Sequence, residues 1–303
     1  MTRRYPFMQV DAFTDRPLGG NPCAVVFETD RLSDETMLAI AREMNLSETA
    51  FVRQSSVADF GVRFFTPAEE IPLAGHPTIA TTYALVDSGR LSLSGEGQSV
   101  TTHTNLILEL KVGPIPVEIF SQDGLVERVV MSQKKPQFLA LLKPHEVLPA
   151  FGLKKDDLLP DAPIQVVSTG TPQLMVPLRS LDVLRRIEMN VPFYTNLRQR
   201  VGFFSPHLFV LEGITEAGRT FARHFGVPPD SPEDPFTGSA TGGMAAYLWH
   251  YGLIERPNFI AEQGHWMSRP GQATVEVIGA PDDILNVKVG GGAVTVLRGE
   301  LMV

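Results

Sequence analysis

Cysteine is nearly absent: Cys23 is the only one in 303 residues. An intramolecular disulfide is therefore impossible, and a zinc cluster built on thiolates is excluded, which fits a reducing compartment. Tryptophan occurs twice and tyrosine five times, and no apolar run approaches the 18 residues that a membrane-spanning helix requires. Basic excess is also lacking. Lys and Arg total 26 against 34 Asp and Glu, giving a formal charge of −8 and a pI near 5.4. Nucleic acid and anionic membrane are thereby disfavoured as main partners, because both demand a basic surface. The seven histidines show no metal-ligand spacing, so no metal is expected. The amino end, Met1-Thr2-Arg3-Arg4-Tyr5-Pro6, is basic, but Asp11 and Asp15 arrive before any apolar stretch of signal-peptide length. A cytoplasmic location is expected.

What is present is an ordinary globular composition, with 43% hydrophobic and 20% charged residues and a mean hydropathy of +0.03. The length allows about two domains. Gly and Pro together make 50 residues, and they punctuate short segments of strand character. Among these are 7–13, 24–27, 49–52, 61–65, 106–110, 117–119, 164–168, 174–178, 201–204, 208–211, 273–277, 285–289 and 293–297. Four segments read as helices: 33–45, capped by Ser33; 77–88, opened by Pro77 and stopped at Gly89; 239–251, capped by Ser239 and stopped at Gly252; and a shorter one at 181–189. So many strands and so few helices do not make a doubly wound βαβ pattern.

One local pattern occurs twice. Arg63-Phe64-Phe65 leads through an acidic, proline-containing loop to Gly75-His76-Pro77 and an apolar helix. Arg223-His224-Phe225 leads through residues 228–235, Pro-Pro-Asp-Ser-Pro-Glu-Asp-Pro, to Gly238-Ser239 and another. The glycine follows the phenylalanine by ten residues in the first copy and thirteen in the second. Neither helix carries a charged face, and a helix apolar all round is buried on all sides. The expected class is α+β: two pseudo-symmetric domains, each a barrel-like, mostly antiparallel sheet wrapped around a central helix. We place them at residues 1–118 and 119–303, with the last strand free to return to the first domain.

A buried helix start leaves four backbone N–H groups without intrahelical partners and a partial positive charge, which suits a carboxylate. Side-chain capping by Thr237 or Ser239 is the alternative. Glu48 lies between a helix end and the apolar strand Ala50-Phe51-Val52, where desolvation would raise its pKa toward acid/base use. The plainer reading is a locally paired glutamate. At the helix start, His76 would have its pKa lowered by the dipole, or serve only to hold the Gly-His-Pro turn. Asp234, before Pro235, could orient a neighbour or accept a substrate amine, or simply start a turn. Ser132-Gln133-Lys134-Lys135 matches Ser-x-x-Lys, but the other elements of that hydrolase class are missing. Cys23, beside an apolar strand, reads as a buried structural thiol.

Taken together, Gly20-Asn21-Pro22-Cys23-Ala24-Val25, Asn45-Leu46-Ser47-Glu48-Thr49, Phe65-Thr66-Pro67 through Gly75-His76-Pro77, and Glu233-Asp234-Pro235-Phe236-Thr237-Gly238-Ser239-Ala240 resemble the PhzF-like phenazine-biosynthesis isomerase family, which shares the diaminopimelate epimerase fold. Arg269-Pro270-Gly271 and Val289-Gly290-Gly291 extend the likeness toward the end of the chain. The resemblance implies a cofactor-independent isomerase that works as a homodimer, with its site between the two domains. The glutamate matching Glu48 shuttles a proton on dihydro-3-hydroxyanthranilate, while residues matching His76, Asp234, Gly75, Gly238 and Ser239 surround the substrate. Related racemases use two opposed cysteines; here those turns hold His76 and Ser239, so a two-thiol racemase is excluded. The leading expectation is an isomerase acting on a small carboxylate-bearing, amino-acid-like molecule. An epimerase, or a ligand-binding protein that has lost its chemistry, are the alternatives.

Overall fold

The computed structural model describes residues 3–93, 101–226 and 231–303. Residues 228–230 of the second acidic loop, and the first two residues of the basic amino end, lie outside that set. The chain forms two compact units, one of residues 1–132 and 290–303 and the other of residues 133–289.

In the first unit the elements run β1 (Arg4–Ala12), β2 (Asn21–Val26), α1 (Asp34–Met44), β3 (Glu48–Arg53), β4 (Phe60–Phe65), β5 (Glu70–Ile71), α2 (Gly75–Asp87), β6 (Thr101–Leu110), β7 (Gly113–Gln122) and β8 (Leu125–Ser132). The chain's last strand, Ala293–Met302, pairs antiparallel with β1. Residue 118 thus falls inside β7, and the unit continues through β8. Pairing is antiparallel for β1–β2, β3–β4, β6–β7 and β7–β8, and parallel for β2–β3 and β4–β6. The sheet wraps α2, which packs on β1, β2, β3, β8 and the last strand. On the other face α1 buries Met37, Ile40 and Ala41 against Tyr5, Val26, Phe51 and Phe65. Ser33 caps α1 by accepting from the Thr36 N–H at 3.2 Å, and Asn45 closes it in the left-handed region.

The second unit contains β9 (Gln137–Leu142), α3 (Pro144–Val147), β10 (Ile164–Ser168), β11 (Pro172–Pro177), α4 (Leu181–Arg185), α5 (Val191–Val201), β12 (Ser205–Val210), β13 (Thr220–Phe225), β14 (Glu233–Asp234), α6 (Gly238–His250), β15 (Asn258–Gln263), β16 (Gly271–Ala280) and all but the last two residues of β17 (Asp283–Gly291). Its pairing repeats the first unit: β10–β11 antiparallel, β11–β12 parallel, β12–β13 antiparallel, β13–β15 parallel, β15–β16 antiparallel. Here α6 is the central helix, packed on β10, β11 and β16. A second core of Phe151, Leu184, Tyr194, Leu208 and Phe221 lies under α3, α4 and α5.

The repeat extends to side chains. Arg63 forms a bidentate pair with Glu70 at 2.7 and 3.0 Å, and Arg223 forms the same pair with Glu233 at 2.9 and 2.7 Å. Each guanidinium also stands over the phenylalanine two residues on, Phe65 or Phe225. Thr78 Oγ1 donates to the Ala74 carbonyl and Thr241 Oγ1 to the Thr237 carbonyl, at 2.7 and 2.9 Å. Such back-bonding satisfies hydroxyls on helices that are buried almost all round.

Three local expectations change. Both central helices begin earlier than their sequence signals, at Gly75 and Gly238, so Pro77 is the third helical residue and Ser239 the second rather than a cap. The helix expected at 181–189 stops at Arg185, and α5 follows it. Segment 201–204 is no strand: α5 runs to Val201 and Gly202 ends it at φ +80°. Its apolar residues serve a helix end, and the strand starts at Ser205.

Candidate functional site

Two clusters carry the expected residues, one in each unit. In the first, Glu48 opens β3 three residues after the left-handed cap of α1, in parallel register with Cys23 of β2. His76 is the second residue of α2. Its Nε2 lies 3.4 Å from Glu48 Oε2, with the two side chains 4% and 17% exposed. Glu48 thus keeps some access to solvent while the imidazole has almost none. His76 Nδ1 lies 3.0 Å from Asn21 Nδ2, and Asn21 is fully buried.

Burial lowers the His76 pKa to about 3, against a smaller opposing effect of the Pro22 backbone. The ring is therefore neutral at physiological pH. The direction agrees with the sequence reading, but its main cause is lost solvation rather than the helix dipole. Cys23 shows the complementary effect. Burial, then the negative charge of Glu48, pushes its thiol well above the ordinary value, so it stays protonated. A protonated, wholly buried thiol is neither a nucleophile nor an acid/base partner.

In the second unit, Asp234, Gly238 and Ser239 come together around the start of α6. Asp234 ends β14, paired with His224 of β13, and its Oδ2 accepts from Thr237 Oγ1 at 2.5 Å. Gln263, buried at the end of β15, donates to the Asp234 carbonyl at 2.7 Å and accepts from the Thr237 N–H at 3.2 Å. Fully buried Phe236 anchors the same turn.

Neither central helix has a side-chain cap. Ala74 and Thr237 hold the N-cap positions, and neither side chain accepts from a backbone N–H of its helix. The capping alternative is thereby set aside for Thr237, and Ser239 lies within the first turn. From inside the unit, Gln133 Nε2 donates to the Gly238 carbonyl at 2.8 Å, and Thr169 Oγ1 donates to Gln133 Oε1 at 2.5 Å. A Cβ on Gly242 would stand 2.0 Å from Gln133 Oε1, so this glycine makes room for the carboxamide.

Asn21, Gln133, Thr169 and Gln263 are the residues that sequence reasoning left without a role. Asn21 stands inside the quoted Gly-Asn-Pro-Cys motif, and Gln133 inside the discarded Ser-x-x-Lys match. Among the described residues no three His, Cys, Asp or Glu side chains gather where they could hold a metal ion. No helix of the described residues is long and apolar enough to cross a membrane.

Two units of repeated pairing, each with sheet wrapped on a largely apolar central helix within an α+β chain, define the diaminopimelate epimerase-like class of fold. The model of the phenazine biosynthesis-like protein family matches residues 10–299. An uncharacterized isomerase of Clostridium acetobutylicum is 34% identical, with 100% of this chain and 99% of that protein aligned. The trans-2,3-dihydro-3-hydroxyanthranilate isomerase of Pseudomonas fluorescens is 33% identical over 98% of this chain and 99% of its own. A crystal structure of a PhzF-family phenazine biosynthesis protein from Bacillus anthracis superposes with a TM-score of 0.86 at 33% identity, covering 99% of this chain and 100% of that one. The chain belongs to the phenazine biosynthesis-like family, and by class it is an isomerase.

Proposed function

We propose that this isomerase moves a proton between two carbons of a small, carboxylate-bearing, amino-acid-like substrate, with Glu48 as the acid/base and without a cofactor. The observation that carries the reading is the contact of Glu48 with His76: a partly exposed carboxylate held beside an imidazole that burial keeps neutral. A protonated histidine would bind the carboxylate as an ion pair and weaken it as a base. A neutral one leaves it able to take a proton.

In the proposed step, one Glu48 oxygen accepts a proton from a carbon of the substrate, the double bond shifts, and the same carboxyl, its proton exchanging with solvent, protonates a second carbon. No atom or electron is gained or lost, so the balance requires no oxidant or reductant. A single residue can serve both ends if the two carbons share one face, which favours an allylic shift over inversion.

Asp234 is proposed to hold the substrate's amine or hydroxyl. Gly75, Gly238 and Ser239 are proposed to bind its carboxylate with the uncapped helix-start amides. The dihydro-hydroxyanthranilate named for the Pseudomonas fluorescens relative is the first substrate to test. A homodimer in the cytoplasm, with no nucleic-acid or membrane partner, completes the proposal. The test is turnover of that compound by the wild type and Glu48→Gln. A loss of about 100-fold or more, with folding unchanged, is expected for a proton-transfer group. Full turnover by the variant removes Glu48 from the mechanism.

A further inference from the structure

We infer that Asn21 is a positioning residue that fixes His76 in its Nε2–H tautomer, and so places the ring proton on the nitrogen nearer Glu48, 3.4 Å from Oε2 and outside hydrogen-bond geometry. The inference rests on the functional reading of Glu48 and His76 given above. A carboxamide nitrogen only donates, so a ring nitrogen 3.0 Å from Asn21 Nδ2 must accept. Nδ1 then carries no proton, and the single proton of the neutral ring sits on Nε2, the atom 3.4 Å from Glu48 Oε2.

The contact with Glu48 selects the same orientation independently. With the carboxamide turned over, Asn21 Oδ1 would require the proton on Nδ1. Nε2 would then face a carboxylate oxygen with a bare lone pair, two acceptors together in a buried setting.

The backbone gives Asn21 little freedom. It opens β2 in register with Ala12, and Pro22 follows it. Gly20 precedes it at φ +52°, where a Cβ would stand 2.0 Å from the Ala12 carbonyl oxygen. That close approach brings the start of β2 against the end of β1 and holds the carboxamide under the start of α2. Asn21 thus sets which ring nitrogen of His76 carries the proton on the Glu48 side.

Long-range ¹H–¹⁵N correlation spectra of the ¹⁵N-histidine-labelled protein read the tautomer of His76 directly, assigned by its loss in His76→Phe. The expected native pattern at neutral pH is Nε2–H. Asn21→Asp replaces the donor with an acceptor, so the proton is expected to move to Nδ1, with turnover falling about 100-fold and KM changing much less. A native Nδ1–H pattern, which needs no variant, overturns the inference. An unchanged pattern or unchanged turnover in folded Asn21→Asp does so too. Full turnover by His76→Phe would instead overturn the functional reading and leave the tautomer assignment standing.

Discussion

His76 Nε2 and Glu48 Oε2 stand 3.4 Å apart, one at the start of a buried helix and the other at the start of a strand. The pair joins two different kinds of local constraint. The helix start supplies a rigid, desolvated imidazole, and the strand start supplies a carboxylate that retains some contact with solvent.

Three histidines are buried and held below their ordinary pKa by lost solvation: His76 and His224 at about 3, and His207 well below, where the neighbouring His224 adds to the effect. The unfolded chain binds their protons near pH 6.5 and the native state does not. Unfolding therefore takes up protons between about pH 6.5 and 3, and stability falls as pH drops through that window. Each histidine adds a slope of about 1.4 kcal/mol per pH unit. A melting series from pH 7 to 4 should show Tm falling steadily, and His224→Gln should flatten the slope by one proton. An unchanged slope in that variant would contradict the assignment.

Gly242 has no side chain because Gln133 occupies the space. Gly242→Ala is expected to displace the Gln133 carboxamide from the Gly238 carbonyl and from Thr169. Two buried hydrogen bonds are broken, a cost of about 1–3 kcal/mol. Denaturant unfolding measures that cost, and substrate titration should show KM rising more than kcat falls. Unaltered stability would mean that the carboxamide has another comfortable position.

Cys23 adjoins Glu48 in the strand register, but its buried, protonated thiol takes no part in the proposed chemistry. Iodoacetamide should leave it unmodified in the native protein and label it completely in denaturant. Cys23→Ala should keep turnover within a few-fold of wild type. Loss of turnover on a par with Glu48→Gln would make the thiol a participant.

The sequence exposed the fold through what two segments lacked. Helices without any charged residue, 78–86 and 240–249, can only be central, and α2 and α6 are. The repeated arginine, phenylalanine and glycine pointed to duplication, and the twin pairs Arg63–Glu70 and Arg223–Glu233 show what those arginines do. Helix α5 was hidden because Val191, Pro192 and Phe193 look like strand or loop. An exposed N-cap bond, in which the Phe193 N–H donates to Asn190 Oδ1, starts the helix there.

Within the candidate site, His76 stood out beside a glycine turn, and Glu48 between a helix end and an apolar strand. Asn21 and Gln133 were not. Each acts by reaching across the fold to a residue distant in sequence, 55 positions away for Asn21 and 105 for Gln133, and no local pattern encodes such a bond.

The central claim is proton transfer by Glu48, and the most direct measurement is NMR of the reaction with trans-2,3-dihydro-3-hydroxyanthranilate in deuterated buffer. The account predicts product carrying solvent deuterium at the newly protonated carbon with wild-type protein, and none above background with Glu48→Gln. Equal deuterium incorporation by both proteins would contradict it.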